Sequence, residues 1–448
     1  MTVPLTPQPP ANDSFQTRRW RSGEQHFWPA PRWLALQRRI LRGHMEHALI
    51  SPLYRPRRSR YLAWANEVKT GAAGIYFGNL PFTSKEQLPA AVDQILRDSD
   101  LPVREWVTTS GTLGGPLSVP LTRPDLDRLA ANEAAALALA GIRPGDLVLS
   151  TVAMDRQFVA GLAYWLGLQR LGAGAVRAGP LACASWDVLQ ELLKRYRPQW
   201  LITVPSLLLP LCGQRRRGGY RGLRGIIGIG EATRGQNLLP NAMAKALAVT
   251  FGAPVLNTYA STETCATFAE GLTCTGGHLN PQLAICEIID AHGVPLPPGA
   301  PGEVVVTPLG VQGLPLIRFR TGDIAALYAD PCPCGRTTPR LGPVLGRLGQ
   351  LLKIRGVSVY PSTVFNVLDG HKNVADSAAV ATRDAAGGDV LTLHVQLGAD
   401  TPDARAAVEA GIRAVLRVLP VINYCDGAGL RAIKTGAGRK PLRFVDRR

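Results

Sequence analysis

Thr108-Thr109-Ser110-Gly111-Thr112-Leu113-Gly114-Gly115-Pro116 stands between two strand-like runs, so residues 103–120 read as strand, Gly-rich turn, strand. Glycines let backbone N–H groups approach phosphate oxygens, and the hydroxyls of Ser110 and Thr112 add donors without bulk. No Gly-Lys-Ser/Thr follows, which excludes the P-loop of the common nucleotide hydrolases. Taken alone, the stretch serves equally well as an ordinary Gly-rich hairpin.

The sequence that follows is more regular. Thr122-Arg123-Pro124-Asp125 supplies a hydroxyl cap, a proline in the first turn and an acid at the third position. This predicts a helix that runs to about Ala140 and stops at Gly141. Strands predicted at 146–153, 174–178, 200–204, 225–230 and 255–257 then alternate with helices at 158–171, 185–196 and 236–247. The alternation predicts an α/β fold with doubly wound parallel units, covered by helices on both faces. Residues 284–289 and 302–308 read as antiparallel strands around a Pro/Gly turn. After Arg347 shorter strands and helices (361–368 and 403–418) suggest a small α+β unit. The expected organisation is a loose polar arm over 1–30, a large N-terminal domain over 31–346 opening on a helix at 33–53, and a mobile C-terminal domain over 347–448.

Four further segments carry chemistry. Asn257-Thr258-Tyr259-Ala260-Ser261-Thr262-Glu263 follows an apolar strand, where parallel sheets bind ligands. There an aromatic ring can stack on a base, hydroxyls can bind phosphate and Glu263 can hold Mg²⁺, although a helix cap is the commoner use of such a run. In Arg318-Phe319-Arg320-Thr321-Gly322-Asp323 the acid after a Gly turn can accept two ribose hydroxyls. Gly346-Arg347 with Lys353-Ile354-Arg355-Gly356 marks the change of pattern. Lys440 sits in Gly438-Arg439-Lys440-Pro441-Leu442-Arg443; by itself it is a solvated lysine.

In this order and spacing the five segments resemble the adenylate-forming superfamily, and within it the phenylacetate–CoA ligase group. Leu80-Pro81-Phe82-Thr83-Ser84-Lys85-Glu86-Gln87-Leu88, Pro315 to Asp323 and Cys332-Pro333-Cys334-Gly335-Arg336-Thr337 add to the likeness, which extends from about Trp33 onward. The resemblance implies that Ser110, Gly111, Thr112 and Gly114 hold the phosphates of ATP, and that Gly230, Glu231, Ala232, Asn257, Thr258 and Tyr259 line the adenine. Ala260, Ser261 and Thr262 complete the nucleotide site, Asp323 and Arg347 take the ribose, and Glu263 binds magnesium. Lys440, Glu263 and Thr262 are the implied catalytic residues, with Lys440 bridging the carboxylate and the α-phosphate. Met154 and Phe158, with Tyr259 and Ala260, would approach a small aryl or arylacetic acid. The implied reaction makes an acyl-adenylate, releases pyrophosphate and passes the acyl group to a thiol, with coenzyme A as the default acceptor. An acidic acyl-carrier protein or an amine is the alternative acceptor, and a non-catalytic nucleotide-binding relative is the competing class. A homodimer is the assembly to expect from the resemblance.

The chain departs from that pattern in three places. The family usually reads Ser-Gly-Thr-Thr-Gly-Lys-Pro in the phosphate loop; here Leu113 replaces a threonine and Gly115 stands where the lysine belongs. Arg104 and the basic arm are the substitutes the sequence offers. After Arg347 the family usually carries Asp, whereas this chain reads Leu348-Gly349-Gln350, and Ala260 replaces a usual Gly.

Cysteine usage adds a second candidate. Cys332-Pro333-Cys334 is a tight pair, with Cys274 and His278 upstream; three thiolates and an imidazole make a closed tetrahedral set suited to structural zinc. Cys265 is the weaker alternative ligand. The eight cysteines are otherwise scattered, which suits a reducing, cytoplasmic setting. No apolar run is long enough to span a membrane, and no secretion signal opens the sequence. The formal net charge is +17, and 14 of those charges come from residues 1–60 and 431–448. No stacking motif accompanies them, so the excess suits ATP, coenzyme A or an acidic carrier better than nucleic acid.

Overall fold

The computed structural model describes residues 23–65, 69–71, 74–78, 80–98, 100–109, 116–214, 220–354, 357–384, 387–434 and 443–448. Ser110, Gly111, Thr112, Gly114 and Lys440 lie outside the described residues, as do Leu113, Gly115 and residues 1–22 of the arm.

A nine-stranded sheet organises the large part of the chain. Its parallel half runs in the order Val255–Ser261, Gly225–Gly228, Trp200–Thr203, Leu147–Ser150, Gly174–Arg177. Leu147–Ser150 is the first of these in the chain yet lies between Gly174–Arg177 and Trp200–Thr203. The connections therefore leave it in both directions, which opens a crevice beyond the carboxyl ends of the strands. Both faces are covered because alternate residues of each strand are apolar in both directions. Leu149, Leu201, Ile226 and Val255 pack on Leu189, Leu193, Leu247 and Phe251 from the helices Trp186–Tyr196 and Ala242–Phe251. Their neighbours Val148, Trp200, Ile202, Ile227 and Leu256 pack on Leu137, Tyr164 and Leu168 from Arg123–Ala140 and Val159–Leu171. The predicted cap of Arg123–Ala140 is present, with Thr122 accepting from the Asp125 amide, and Gly141 closes the helix at φ +110°.

An antiparallel four-stranded sheet of Ala284–Ile289, Gly302–Pro308, Phe319–Ala325 and Gly346–Arg347 lies beyond this core in the chain. Past it, Val374–Arg383 and Asp389–Leu397 form the centre of another four-stranded sheet. The helices Pro361–Asp369 and Pro402–Leu416 cover that sheet through Val364, Leu368, Val408 and Ile412. This is the α+β unit expected after Arg347. Tyr360 packs so closely on Gly346 that a Cβ there would lie 2.1 Å from its ring, and Ser362 donates to the Leu345 carbonyl.

Three expectations are corrected. Residues 23–29 are ordered rather than part of a loose arm: Gly23–Phe27 is a 3₁₀ turn with His26 buried, and the first long helix is Ala30–Ala48. The helix expected at 236–247 begins only at Ala242, because residues 235–240 turn back on themselves and Asn241 caps the helix at the Ala244 amide. The strand expected at 255–257 continues to Ser261, its first half parallel to Gly225–Gly228 and its second half antiparallel to Ala266–Ala269. Tyr259 to Ser261 are thus strand, not a helix cap.

Candidate active site and metal cluster

Asp323 and Arg347 are directly opposed on neighbouring antiparallel strands. Arg347 Nε donates to Asp323 Oδ1 at 3.0 Å, and the Tyr259 hydroxyl donates to Asp323 Oδ2 at 3.0 Å. Burial pushes the Asp323 carboxyl above its usual pKa, against the opposing pull of Arg347 and of the tyrosine hydroxyl. Burial, and then the Asp323 charge, push Tyr259 well above the ordinary phenol value, so it stays a donor. The strand Val255–Ser261 thereby ties the parallel core to the antiparallel sheet through one acid.

Glu263 lies just beyond that strand in a tight turn whose Cys265 has φ +45°. It is buried, and the Lys85 ammonium lies 3.0 Å from its Oε1. Arg128 holds the turn from beneath: fully buried, it donates to the carbonyls of Cys265 at 2.5 Å, Leu283 at 2.5 Å and Leu309 at 2.6 Å. Lys85 has an equally firm mount. The Thr83 amide donates to the Arg318 carbonyl at 3.0 Å, the Arg320 amide donates back to Thr83 at 2.9 Å, and Tyr54 and Thr83 hydroxyls pair at 2.7 Å. The segment carrying Lys85 is therefore fastened to the strand carrying Asp323.

Comparison with known proteins agrees with this geometry. Residues 106–311 match the AMP-binding enzyme family. The phenylacetate-coenzyme A ligase of Thermus thermophilus is 31% identical over 300 residues, 64% of this chain and 65% of that one. The phenylacetate-coenzyme A ligase of Aromatoleum evansii is 26% identical over 390 residues, 82% of this chain and 84% of that one. The chain is thus similar to phenylacetate-coenzyme A ligases, and its residues 106–311 to the AMP-binding enzyme family. Its fold is also that of 2-hydroxyisobutyryl-CoA ligase in the postadenylation state with R3-HIB-AMP, at TM-score 0.77 and 22% identity over 98% of this chain and 94% of that one. The same ligase in its thioesterification state, with CoA, gives 0.63 over 94% of this chain and 91% of that one, again at 22% identity.

The other site residues expected from the resemblance fall into two groups. Gly230, at φ +69°, with Glu231 and Ala232 forms the turn after Gly225–Gly228. The Asn257 side chain supports that turn, accepting from the Thr233 amide at 3.1 Å and the Thr233 hydroxyl at 3.2 Å. The Glu231 carboxylate accepts from the Ser206 amide at 2.9 Å and hydroxyl at 2.7 Å, so its side chain is engaged in holding the Pro205–Leu208 turn. Thr258 donates to the Gly228 carbonyl at 3.0 Å, Ser261 pairs with Thr264, and the Thr262 carbonyl accepts from Cys265 Sγ. Ala260 is exposed on the same strand.

Met154 is exposed beside Arg177, and Phe158 is half-buried in a bridge with Thr108. Arg156 and Gln157, both at positive φ, precede that bridge. Two consecutive strained residues, the second accepting from the Thr108 amide at 2.9 Å, mark a built corner that sequence reading missed. Lys85 and Arg128 were missed as site residues too; the Pro-Phe-Thr-Ser-Lys element was the signal for the first.

Cys274, His278, Cys332 and Cys334 converge, their ligand atoms all within 4.8 Å of one another. Cys334 Sγ is 3.2 Å from both His278 Nε2 and Cys332 Sγ. His278 Nδ1 lies 3.1 Å from the Thr338 carbonyl, which can only accept, so Nδ1 carries the proton and Nε2 keeps its lone pair. Burial lowers the His278 pKa to about 4, which keeps the ring neutral. The Gly271 amide donates to Cys274 Sγ at 2.8 Å, and Arg340 joins the two cysteine loops by bonding the Thr275 carbonyl and Asp330. Thr337 and Thr338 connect this set to His26 and Trp28. Fixed tautomer, N–H···S support and four convergent soft donors fit zinc. Cys265 lies outside the cluster.

Proposed function

We propose that this chain activates a small carboxylic acid with ATP, releases pyrophosphate, and transfers the acyl group from the adenylate to coenzyme A. The observation that carries the reading is the fastening of Asp323, Tyr259 and Arg347 into one polar knot beside Glu263. A carboxylate with two oxygens held by donors on one side can accept a vicinal diol on the other. Glu263 and the magnesium of the nucleotide would stabilise the charge that grows on the leaving phosphates. Lys440, a compact mobile cation, would neutralise the carboxylate as it approaches the α-phosphate.

The phenylacetate-coenzyme A ligase relatives favour an aryl or arylacetic acid, which Met154 and Phe158 would approach. The same relatives favour coenzyme A over a carrier protein or an amine as acceptor. The cysteine–histidine cluster would hold structural zinc, and the unit after Arg347 would move between the two half-reactions.

A pyrophosphate-release screen over aryl and alkyl acids, with and without coenzyme A, tests the reading. Acid-dependent release abolished by Lys440→Ala supports it. ATP binding without release for any acid would instead favour the non-catalytic relative.

A further inference from the structure

The Lys85–Glu263 contact bears on the lysine that the phosphate loop lacks. Gly115 stands in the sequence where the resembled family usually carries lysine, while the Lys85 ammonium is held 3.0 Å from Glu263. Leu88, Val107, Leu117 and Cys265 share one buried cluster. Val107 and Leu117 flank the 110–115 segment, while Leu88 and Cys265 are three and two residues from Lys85 and Glu263 respectively. The roots of the phosphate loop, the Lys85 turn and the Glu263 turn are thus packed on one another. Lys85 is only partly covered, so its ammonium can change partner, whereas Glu263 is buried. Arg104, the alternative suggested by sequence, is exposed on the strand Val103–Thr108.

Building on the proposed ATP chemistry, we propose that Lys85 is the β/γ-phosphate ligand of this chain. Without nucleotide, the Lys85 ammonium neutralises Glu263, a buried carboxylate that would otherwise stand uncompensated. With magnesium nucleotide bound, Glu263 would hold the divalent ion, and the Lys85 ammonium, released from that carboxylate, would pair with the terminal phosphates. One lysine thereby serves both as the resting counter-ion of the metal carboxylate and as the substitute for the absent loop lysine.

The test compares ATP, inorganic pyrophosphate and AMP binding, each with magnesium, by titration calorimetry on the full chain. A charge-assisted contact to the terminal phosphates predicts that Lys85→Met weakens ATP and pyrophosphate about ten- to hundred-fold and leaves AMP within two-fold. Placing the lysine back in the loop, as Gly115→Lys in the Lys85→Met background, recovers at least half of the loss on a logarithmic scale. Equal weakening of ATP and AMP, or unchanged ATP affinity with a native melting curve, overturns the proposal. A Lys85→Met chain that fails to fold is replaced by Lys85→Gln, judged by the same ATP-to-AMP ratio. Failure of the wild-type chain to bind ATP at all would instead defeat the underlying ATP reading.

Discussion

Arg347 reaches across two antiparallel strands to Asp323, Nε to Oδ1 at 3.0 Å, at the point where the large sheet system ends and the α+β unit begins. The pair therefore couples the acid that Tyr259 also holds to the strand that leads into the second unit. Arg347 is 40% exposed, so the pair contributes under about 1 kcal/mol to stability, and its value lies in positioning. Asp323→Asn should weaken ATP and AMP alike, by about ten-fold or more, because both carry the same ribose. Its melting temperature should change little. Calorimetric titration of both nucleotides checks this, and wild-type affinity for AMP would place the ribose elsewhere.

The metal cluster gives a prediction independent of catalysis. Four ligands from two distant loops, with Thr338 and Arg340 tying them together, should retain about one zinc per chain through purification. The double variant Cys332→Ser/Cys334→Ser should lose the metal and melt several degrees lower, since metal binding contributes directly to folding. Elemental analysis combined with thermal melting measures both. Retention of zinc in the double variant would show that another site binds it.

Glu133 sets a pH dependence. It is buried on the helix Arg123–Ala140; Oε1 accepts from Asn132 at 3.0 Å and from Thr267, while Oε2 has no partner. Burial raises its pKa from 4.5 to about 7. Between those values the folded chain binds more protons than the unfolded chain, so stability falls as pH rises. The contribution is fully present below pH about 4.5 and is lost as pH passes about 7, an effect on the order of 3 kcal/mol. Glu133→Gln cannot ionise and should flatten the difference in unfolding free energy between pH 5 and pH 8. Parallel losses in wild type and variant, measured by urea denaturation, would assign the titration to another group.

Much of this was readable from the sequence, for identifiable reasons. The doubly wound core follows from strands apolar in both directions, such as 200–203 and 225–228, separated by helices with clear caps. The cluster was readable because cysteine and histidine in tight pairs have few other uses. Residues 236–240 misled because their apolar leucines fit a helical pattern, while Leu238 at φ +62° and Pro240 make a turn. Arg128 looks like a surface charge on its helix, and only the distant carbonyls of Leu283 and Leu309 make its burial possible. Lys85 and Glu263 are far apart in sequence, so their contact depends on the tertiary packing that brings Leu88 and Cys265 together. Local patterns carry propensity and chemistry; they do not carry which buried charge meets which partner.

The turn after Arg347 leads to the last prediction. Arg448 Nη2 donates to the Gly349 carbonyl at 2.8 Å and Nη1 to the Leu351 carbonyl at 3.1 Å, while the same guanidinium bonds Asp446 and Asp389. The Leu348–Gln350 turn has no acid of its own, so this guanidinium fixes it to the sheet of the α+β unit. Each carbonyl bond is worth about 1 kcal/mol. Arg448→Ala should therefore raise opening of the turn roughly ten- to thirty-fold, read as faster tryptic cleavage after the exposed Lys353. Arg448→Lys should not restore protection, because a single ammonium cannot span two carbonyls and two carboxylates as a planar fork does. If Arg448→Lys cleaves at the wild-type rate while Arg448→Ala does not, charge alone holds the turn and the fork geometry is irrelevant.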